Sequence, residues 1–116
     1  MKLAEQNKKN EFGIDAETLR RLSEILLSDQ KVSKALIFGS RSKGDFQKGS
    51  DIDIALSGSK ISIEDILSMK IRLEQLMLPY TVDLIRFENV SNQELKEHIK
   101  RVGKEILIPL APPYKM

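Results

Sequence analysis

The chain has 116 residues, which is room for one domain, and its 19 Lys and Arg against 17 Asp and Glu leave a formal net charge of +2. This near-balance argues against a dedicated nucleic-acid-binding protein, which usually carries a strong positive excess, so we expect no direct nucleic-acid binding. The chain has no Cys and a single His, His98, which excludes disulfide frameworks, Cys nucleophiles and His-rich or thiolate metal sites. Its chemistry must rest mainly on carboxylates, hydroxyls, cations and the backbone.

The two ends of the chain differ in composition from its middle. Residues 1–14 form a polar arm rich in Lys, Asn, Gln and Glu, without the apolar core of a signal peptide. Residues 107–116 hold three of the 4 Pro and form a C-terminal tail. We therefore expect one domain over residues 15–106. No apolar run approaches the roughly 20 residues of a membrane span, so a cytoplasmic protein without a membrane partner is expected.

Hydrophobic periodicity predicts a helix and two strands in the first half of the chain. The spacing of its leucines indicates a helix over 15–28, with Asp15 as the N-cap. The continuous apolar run 35–38 is typical of a strand buried on both faces. The polar stretch 40–50 is expected to be a loop, and the segment 51–56 alternates as a strand.

A helix and a strand follow in the second half of the chain. Ser62, with Asp65 three residues later, matches a capping box and predicts the start of a second helix, which Pro79 closes. The alternation over 81–87 then predicts a third strand.

The last predicted element is a helix. Ser91 with Glu94 matches a second capping box, and the apolar spacing continues to Ile106 across Gly103. His98 is expected at the surface or the boundary of this helix. The order helix, strand, loop, strand, helix, strand, helix predicts a small α/β (α+β) fold, with a mixed sheet of three or more strands packed against helices.

A glycine–serine turn follows the first predicted strand directly. Gly39 allows backbone to approach a ligand closely, and the amides after Ser40 can hold phosphate oxygens. Arg41 and Lys43 add positive charge. Alone these residues are a weak signal, because a Gly-Ser turn after a strand is more often an ordinary loop.

Two carboxylates strengthen the functional interpretation. Asp51 and Asp53 are two residues apart in a predicted strand, so they share a face and repel each other unless a cation lies between them. Oxygen ligands select a hard ion, and Mg²⁺ held by carboxylates and substrate phosphates is the common arrangement. The alternative is a polar strand face with two solvated aspartates, which the low strand propensity of Asp disfavours.

Asp83 is the third carboxylate of interest. It lies between Val82 and Leu84 in a predicted strand and faces away from their apolar face. If this strand pairs beside the strand of Asp51, three carboxylates converge and could hold two metal ions, or one ion plus a general base. Taken alone, Asp83 fits a solvated aspartate on an edge strand as well as it fits a functional residue.

Together, these residues carry a family resemblance. Gly39-Ser40, Gly44 and the run Ser50 to Asp53, followed by an apolar strand, resemble the signature of the minimal nucleotidyltransferases, relatives of DNA polymerase β. The resemblance spans roughly residues 35–87 and implies the small nucleotidyltransferase fold. It also implies a metal site and catalytic residues at Asp51, Asp53 and Asp83.

The resemblance implies nucleotidyl transfer from a nucleoside triphosphate, most often ATP, with one or two Mg²⁺ ions. The nucleotide-binding residues would be Gly39, Ser40, Arg41, Lys43 and Ser50. Two of these have an alternative role, since Ser50 could only fix the entry to the strand and Arg41 could pair with an acidic side chain. Asp83 would orient or deprotonate the acceptor hydroxyl.

Small members of this family resemble antitoxins encoded beside a helical HEPN-type RNase toxin, and some attach AMP to a toxin tyrosine. The resemblance therefore implies a toxin protein as partner, with the apolar segment 106–110 as either a docking surface or an ordinary packing segment. Two alternatives stay open. One is adenylylation of a small molecule such as an aminoglycoside at a homodimer interface, which leaves a homo-oligomer open. The other is a non-catalytic module that masks the toxin.

Overall fold

The structure is a computed structural model and describes residues 12–39, 44 and 51–106. In chain order the elements are α1 (Ala16–Leu27), β1 (Lys34–Phe38), β2 (Ile52–Ser57), α2 (Ile63–Glu74), β3 (Val82–Arg86), a 3₁₀ turn (Phe87–Asn89), α3 (Gln93–Val102) and β4 (Lys104–Glu105). The strands form one sheet in the order β3-β2-β1-β4. This mixed α+β architecture confirms the predicted fold class.

The sheet combines parallel and antiparallel pairs. β1 pairs antiparallel with β2 and with β4, whereas β2 and β3 run parallel. The connection from β2 to β3 passes through α2, as a parallel crossover requires. The predicted condition for the carboxylate site, that the strand of Asp83 pairs beside the strand of Asp53, is confirmed.

Two predicted helix starts are confirmed. The Asp15 carboxylate accepts the Thr18 amide at 2.7 Å at the start of α1. At the start of α2 the capping box is complete: the Asp65 amide donates to Ser62 Oγ at 3.1 Å, and the Ser62 amide donates to Asp65 Oδ2 at 2.8 Å. Such side chains replace the hydrogen-bond partners that the first amides of a helix lack.

The predicted cap of the last helix is wrong by one residue. Asn92, not Ser91, is the N-cap of α3, and its side-chain oxygen accepts the Leu95 amide at 2.9 Å. Asn is as good an N-cap as Ser. Ser91 stands three residues before Glu94 and Asn92 stands three residues before Leu95, so either side chain could cap the helix. The sequence pattern alone could not decide between two neighbouring capping residues.

The prediction that the last helix continues to Ile106 is also wrong. α3 ends at Val102, and the Gly103 amide donates to the Ile99 carbonyl at 2.7 Å. The chain then turns into β4 against β1, and the Ile106 amide donates to the Ala35 carbonyl at 2.8 Å. Pairing with a distant strand satisfies these backbone groups outside a helix.

A hydrophobic core covers each face of the sheet. α1 and α2 cover one face, and the buried side chains there include Leu22, Leu26, Ile37, Ile54 and Met69. α3 covers the opposite face, where Phe38, Ala55 and Ile99 are buried. The alternation of strand side chains assigns each residue to one of the two cores.

Phe12 and Ile14 are buried in the larger core, although both fall within the predicted polar arm of residues 1–14. The packed part of the chain thus includes residues before Asp15. The boundaries of the predicted domain, residues 15–106, stay a prediction. The predicted tail, 107–116, lies outside the described residues. Within the described part, no helix has the length and apolar character needed to cross a membrane.

Candidate nucleotidyl-transfer site

The sheet brings the three predicted carboxylates together at the edge of the sheet where β2 and β3 begin. Asp53 and Asp83 are register partners across the parallel strands β2 and β3, so both side chains leave the same face. Asp51 directly precedes β2, two residues before Asp53. The Ile52 amide donates to the Thr81 carbonyl at 2.8 Å, which holds the two strand beginnings side by side.

The Asp53 carboxylate is partly buried and lies among like charges. Burial raises the pKa of Asp53 above its ordinary value, and the negative charges of Asp83 and then Asp51 raise this pKa further. The three carboxylates are therefore within electrostatic reach of one another. Asp51 and Asp83 are exposed, so the edge is open to an approaching ligand.

The turn after β1 lies against this edge. Gly39 follows Phe38, the antiparallel register partner of Asp53, and has a φ of +78°. A Cβ on Gly39 would lie 2.7 Å from Asp53 Oδ2, closer than real side chains approach. The positive φ favours glycine here, and a side chain at this position would also have to displace the Asp53 carboxylate.

The chemistry of the carboxylates fits the Mg²⁺ that the sequence resemblance implies. All three offer oxygen ligands, and a divalent cation would offset the repulsion around Asp53. No three His, Cys, Asp or Glu side chains among the described residues are already arranged as a group that could hold a metal.

The predicted nucleotide-binding residues are only partly described. Gly39 lies beside Asp53, as stated above. The other four, Ser40, Arg41, Lys43 and Ser50, lie outside the described residues. Their role in binding phosphates stays a prediction.

Two features beside the site were not predicted. The His98 ring packs edge-on against Phe38, with centroids 6.3 Å apart and an angle of 80° between the planes. A cleft of about 380 Å³ opens between α2 and the start of β3, and its lining includes Glu74 and Thr81. Both features arise from contacts between distant segments, which no local sequence pattern signals.

The fold is similar to that of chains in several solved structures. A chain in the crystal structure of a toxin–antitoxin complex with AMP-PNP is 22% identical, with a TM-score of 0.64 over 77% of this chain and 72% of that chain. A chain in the structure of the tri-AMPylated Shewanella oneidensis HEPN toxin with its MNT antitoxin is 19% identical, with a TM-score of 0.60 over 78% and 70%. A chain of the MntA–HepT complex is 18% identical, with a TM-score of 0.59 over 78% and 70%. At these identities the likeness shows a shared fold.

No match was found among curated proteins. The family described as polymerase beta, nucleotidyltransferase matches residues 20–109 of this chain. That range contains the whole described sheet, all three carboxylates and the turn at Gly39. The chain belongs to the polymerase beta nucleotidyltransferase family.

Proposed function

We propose that this chain is a Mg²⁺-dependent nucleotidyltransferase that moves a nucleoside monophosphate, AMP from ATP, to a hydroxyl of a partner protein. The observation that carries the proposal is the register pairing of Asp53 with Asp83, with Asp51 and Gly39 at the same sheet edge. In this proposal the chain acts as the antitoxin of a HEPN-type RNase toxin. A tri-AMPylated HEPN toxin in a complex of similar fold supports that choice of acceptor.

The proposed reaction is an in-line displacement at the α-phosphate. An oxygen–phosphorus bond forms between the acceptor hydroxyl and the α-phosphorus, the bond to the bridging oxygen of the β-phosphate breaks, and pyrophosphate leaves. Asp83 orients the hydroxyl and takes its proton. One or two Mg²⁺ ions on Asp51, Asp53 and Asp83 would supply positive charge for the α-phosphate and the leaving group.

The turn after β1 would hold the triphosphate. Gly39 keeps this turn close to Asp53 without a side chain in the way. Ser40 would donate to phosphate oxygens, Arg41 and Lys43 would add positive charge, and Ser50 would bind at the start of β2.

The exposure of the site supports a macromolecular acceptor. Asp51 and Asp83 are exposed, so their carboxylates are accessible from solvent. An open edge can receive a hydroxyl that protrudes from another protein, whereas a small acceptor is usually enclosed in a concave pocket.

The proposal is tested by following the label from ATP that is labelled at its α-phosphate. When the protein is incubated with this ATP, Mg²⁺ and a HEPN-type toxin encoded beside its gene, the toxin should become labelled. Asp51→Asn should abolish the labelling, whereas Asp29→Asn, in the turn between α1 and β1, should leave it unchanged. Label on an aminoglycoside instead would favour the small-molecule reaction. Toxin neutralisation that survives Asp51→Asn and Asp83→Asn would favour a masking module.

A further inference from the structure

Helix α2 has two apolar faces. Met69 and Leu73 are buried in the larger core and account for one face. Ile63, Leu67 and Ile71 follow each other at four-residue intervals and are 64%, 53% and 56% exposed. Residues at this spacing lie one above the other on a helix. We refer to these three residues as the outer stripe.

The outer stripe holds three of the four large apolar side chains that are exposed in the described part of the chain; the fourth is Met77. A helix at the surface of a globular domain normally has one apolar stripe, which faces the core, and polar residues opposite. A second stripe on the solvent side is typical of a protein–protein contact.

Two charged residues flank the outer stripe at equal distances from Leu67 along the sequence. Lys60 lies seven residues before Leu67, and Glu74, the last residue of α2, lies seven residues after it. Both are exposed, and neither forms a salt bridge within the described residues. Lys60 lies in the turn before Ser62, the N-cap of α2. An antiparallel second copy of α2 would bring the turn that carries Lys60 toward the end of the partner helix that carries Glu74.

The remaining charges of α2 favour the same orientation. Glu64 lies in the first turn, whereas Lys70 and Arg72 lie in the second half of the helix. Antiparallel packing brings the acidic beginning of one helix toward the basic end of the other, and the two helix dipoles also oppose each other favourably.

We propose that the outer stripe is the interface of a homodimer in which α2 of two copies packs antiparallel about a two-fold axis between their Leu67 side chains. Ile63 of each copy then contacts Ile71 of the other, and Lys60 pairs with Glu74 of the other. The interface is isologous, because each copy contributes the same stripe. The inference goes beyond the proposed function and does not depend on it.

The dimer would also reach the cleft between α2 and the start of β3. Glu74 lines that cleft together with Thr81, the backbone neighbour of Ile52. Lys60 of the second copy, paired with Glu74, therefore comes to lie at the wall of the cleft.

The size of the stripe sets the expected affinity. A helix of 12 residues is about 18 Å long, and such a contact covers less than the roughly 800 Å² per partner of a standard interface. We expect dissociation constants of about 1–100 μM. The dimer should therefore dissociate on dilution.

The first test is sedimentation equilibrium across that concentration range. The wild-type protein should pass from monomer to dimer, and Leu67→Glu should remain monomeric. Met77→Glu, which removes the exposed apolar residue outside the stripe, should dimerise like the wild type. Lys60→Glu should weaken dimerisation by about 5-fold or more, and adding Glu74→Lys should restore it, because the pair is then reversed.

The second test uses the absence of Cys from the sequence. Leu67→Cys should give a disulfide-linked dimer on mild oxidation, since the two-fold axis brings this residue against itself. Ile63→Cys and Ile71→Cys should cross-link poorly alone and efficiently when mixed. Equal self-cross-linking of Ile63→Cys would indicate parallel packing and contradict the proposal.

Two further outcomes would overturn the proposal. One is a wild-type protein that is monomeric at every concentration and a Leu67→Cys variant that does not cross-link. The other is a monomeric protein whose stripe variants lose binding to the toxin, which would assign the outer stripe to that partner instead. Circular dichroism of each variant separates these results from misfolding.

Discussion

Asp53 of β2 and Asp83 of β3 are direct register partners across a parallel strand pair and project from the same face of the sheet. The neighbouring pairs, Ile52 with Val82 and Ile54 with Leu84, point to the opposite face and pack in the larger core. If β3 slipped by one residue along β2, its apolar side chains would move to the opposite face of the sheet and leave the core. Core packing therefore fixes the register that pairs the two carboxylates. The site geometry is therefore a consequence of how the sheet folds.

The repulsion around Asp53 leads to a prediction about stability and magnesium. Asp53→Asn removes a partly buried charge that Asp83 and Asp51 repel, so this variant should melt at a higher temperature than the wild type in EDTA. Mg²⁺ should raise the melting temperature of the wild type and leave that of Asp53→Asn nearly unchanged. Differential scanning fluorimetry with and without Mg²⁺ measures both effects, and Asp29→Asn is the control. An equal Mg²⁺ response in wild type and Asp53→Asn would argue against the metal site.

The turn after β1 provides a matched pair of glycine variants. Gly39 and Gly44 both have positive φ, +78° and +85°, but a Cβ would strike Asp53 only from Gly39; around Gly44 no described atom lies within 4 Å. Each change to Ala should cost about 1 kcal/mol or more in unfolding free energy from backbone strain. Gly39→Ala should in addition displace the Asp53 carboxylate. We expect nucleotide binding, measured with a fluorescent ATP analogue, to fall much further for Gly39→Ala than for Gly44→Ala. Equal losses would mean that the contact with Asp53 is unimportant.

The capping box of α2 predicts how stability depends on acid. A hydrogen bond from the Ser62 amide, followed by the contact with Lys31, lowers the pKa of Asp65 below its ordinary value of 3.8. The unfolded chain therefore takes up this proton first as the pH falls. The stabilisation is complete above the unfolded pKa and disappears as the pH drops through the folded one.

Urea unfolding between neutral and acidic pH tests this. Asp65→Asn should be less stable than the wild type at neutral pH, and its free energy of unfolding should fall less steeply than that of the wild type as the pH is lowered. Ser62→Ala should cost about 1 kcal/mol, because it removes the acceptor for the Asp65 amide. If the free energy of unfolding of Asp65→Asn fell with pH as steeply as that of the wild type, the hydrogen bond from the Ser62 amide to Asp65 would contribute nothing to the acid dependence.

The strand after α3 predicts a difference between two isoleucines. Ile106 is only 2% exposed and packs in the larger core, whereas Ile71 is in the outer stripe. Ile106→Ala should therefore lower the unfolding free energy by about 2–5 kcal/mol. Ile71→Ala should change it by less than about 0.5 kcal/mol in dilute solution. Similar costs for the two variants would mean that Ile106 does not pack as described.

The features that the sequence predicts correctly depend on local patterns. The caps at Asp15 and Ser62 are recognisable because each side chain serves an amide three residues later. The strand alternation around Asp53 and Asp83 shows which residues share a face. These local signals also predict the α+β fold class, although they do not give the order of the strands in the sheet.

The features that the sequence does not reveal depend on distant contacts. The continuation of the last helix to Ile106 is a reasonable extrapolation of its spacing, but pairing with β1 takes precedence. The contact of Gly39 with Asp53 also joins the end of β1 to a residue of β2, which no local pattern signals. The outer stripe is hidden in the sequence, because its residues alternate with those of the core-facing stripe on the same helix.

The most direct test of the proposed transferase is the single-turnover rate of AMP transfer from ATP to the toxin in the presence of Mg²⁺. Asp53→Asn and Asp83→Asn should each lower this rate by about 100-fold or more, the range expected for groups that bind the metal or take the proton. The double variant should be little worse than either single variant, because the carboxylates act as one unit. Circular dichroism should show that both variants fold like the wild type. Rates within about twofold of the wild type in both single variants would contradict a site built on this pair.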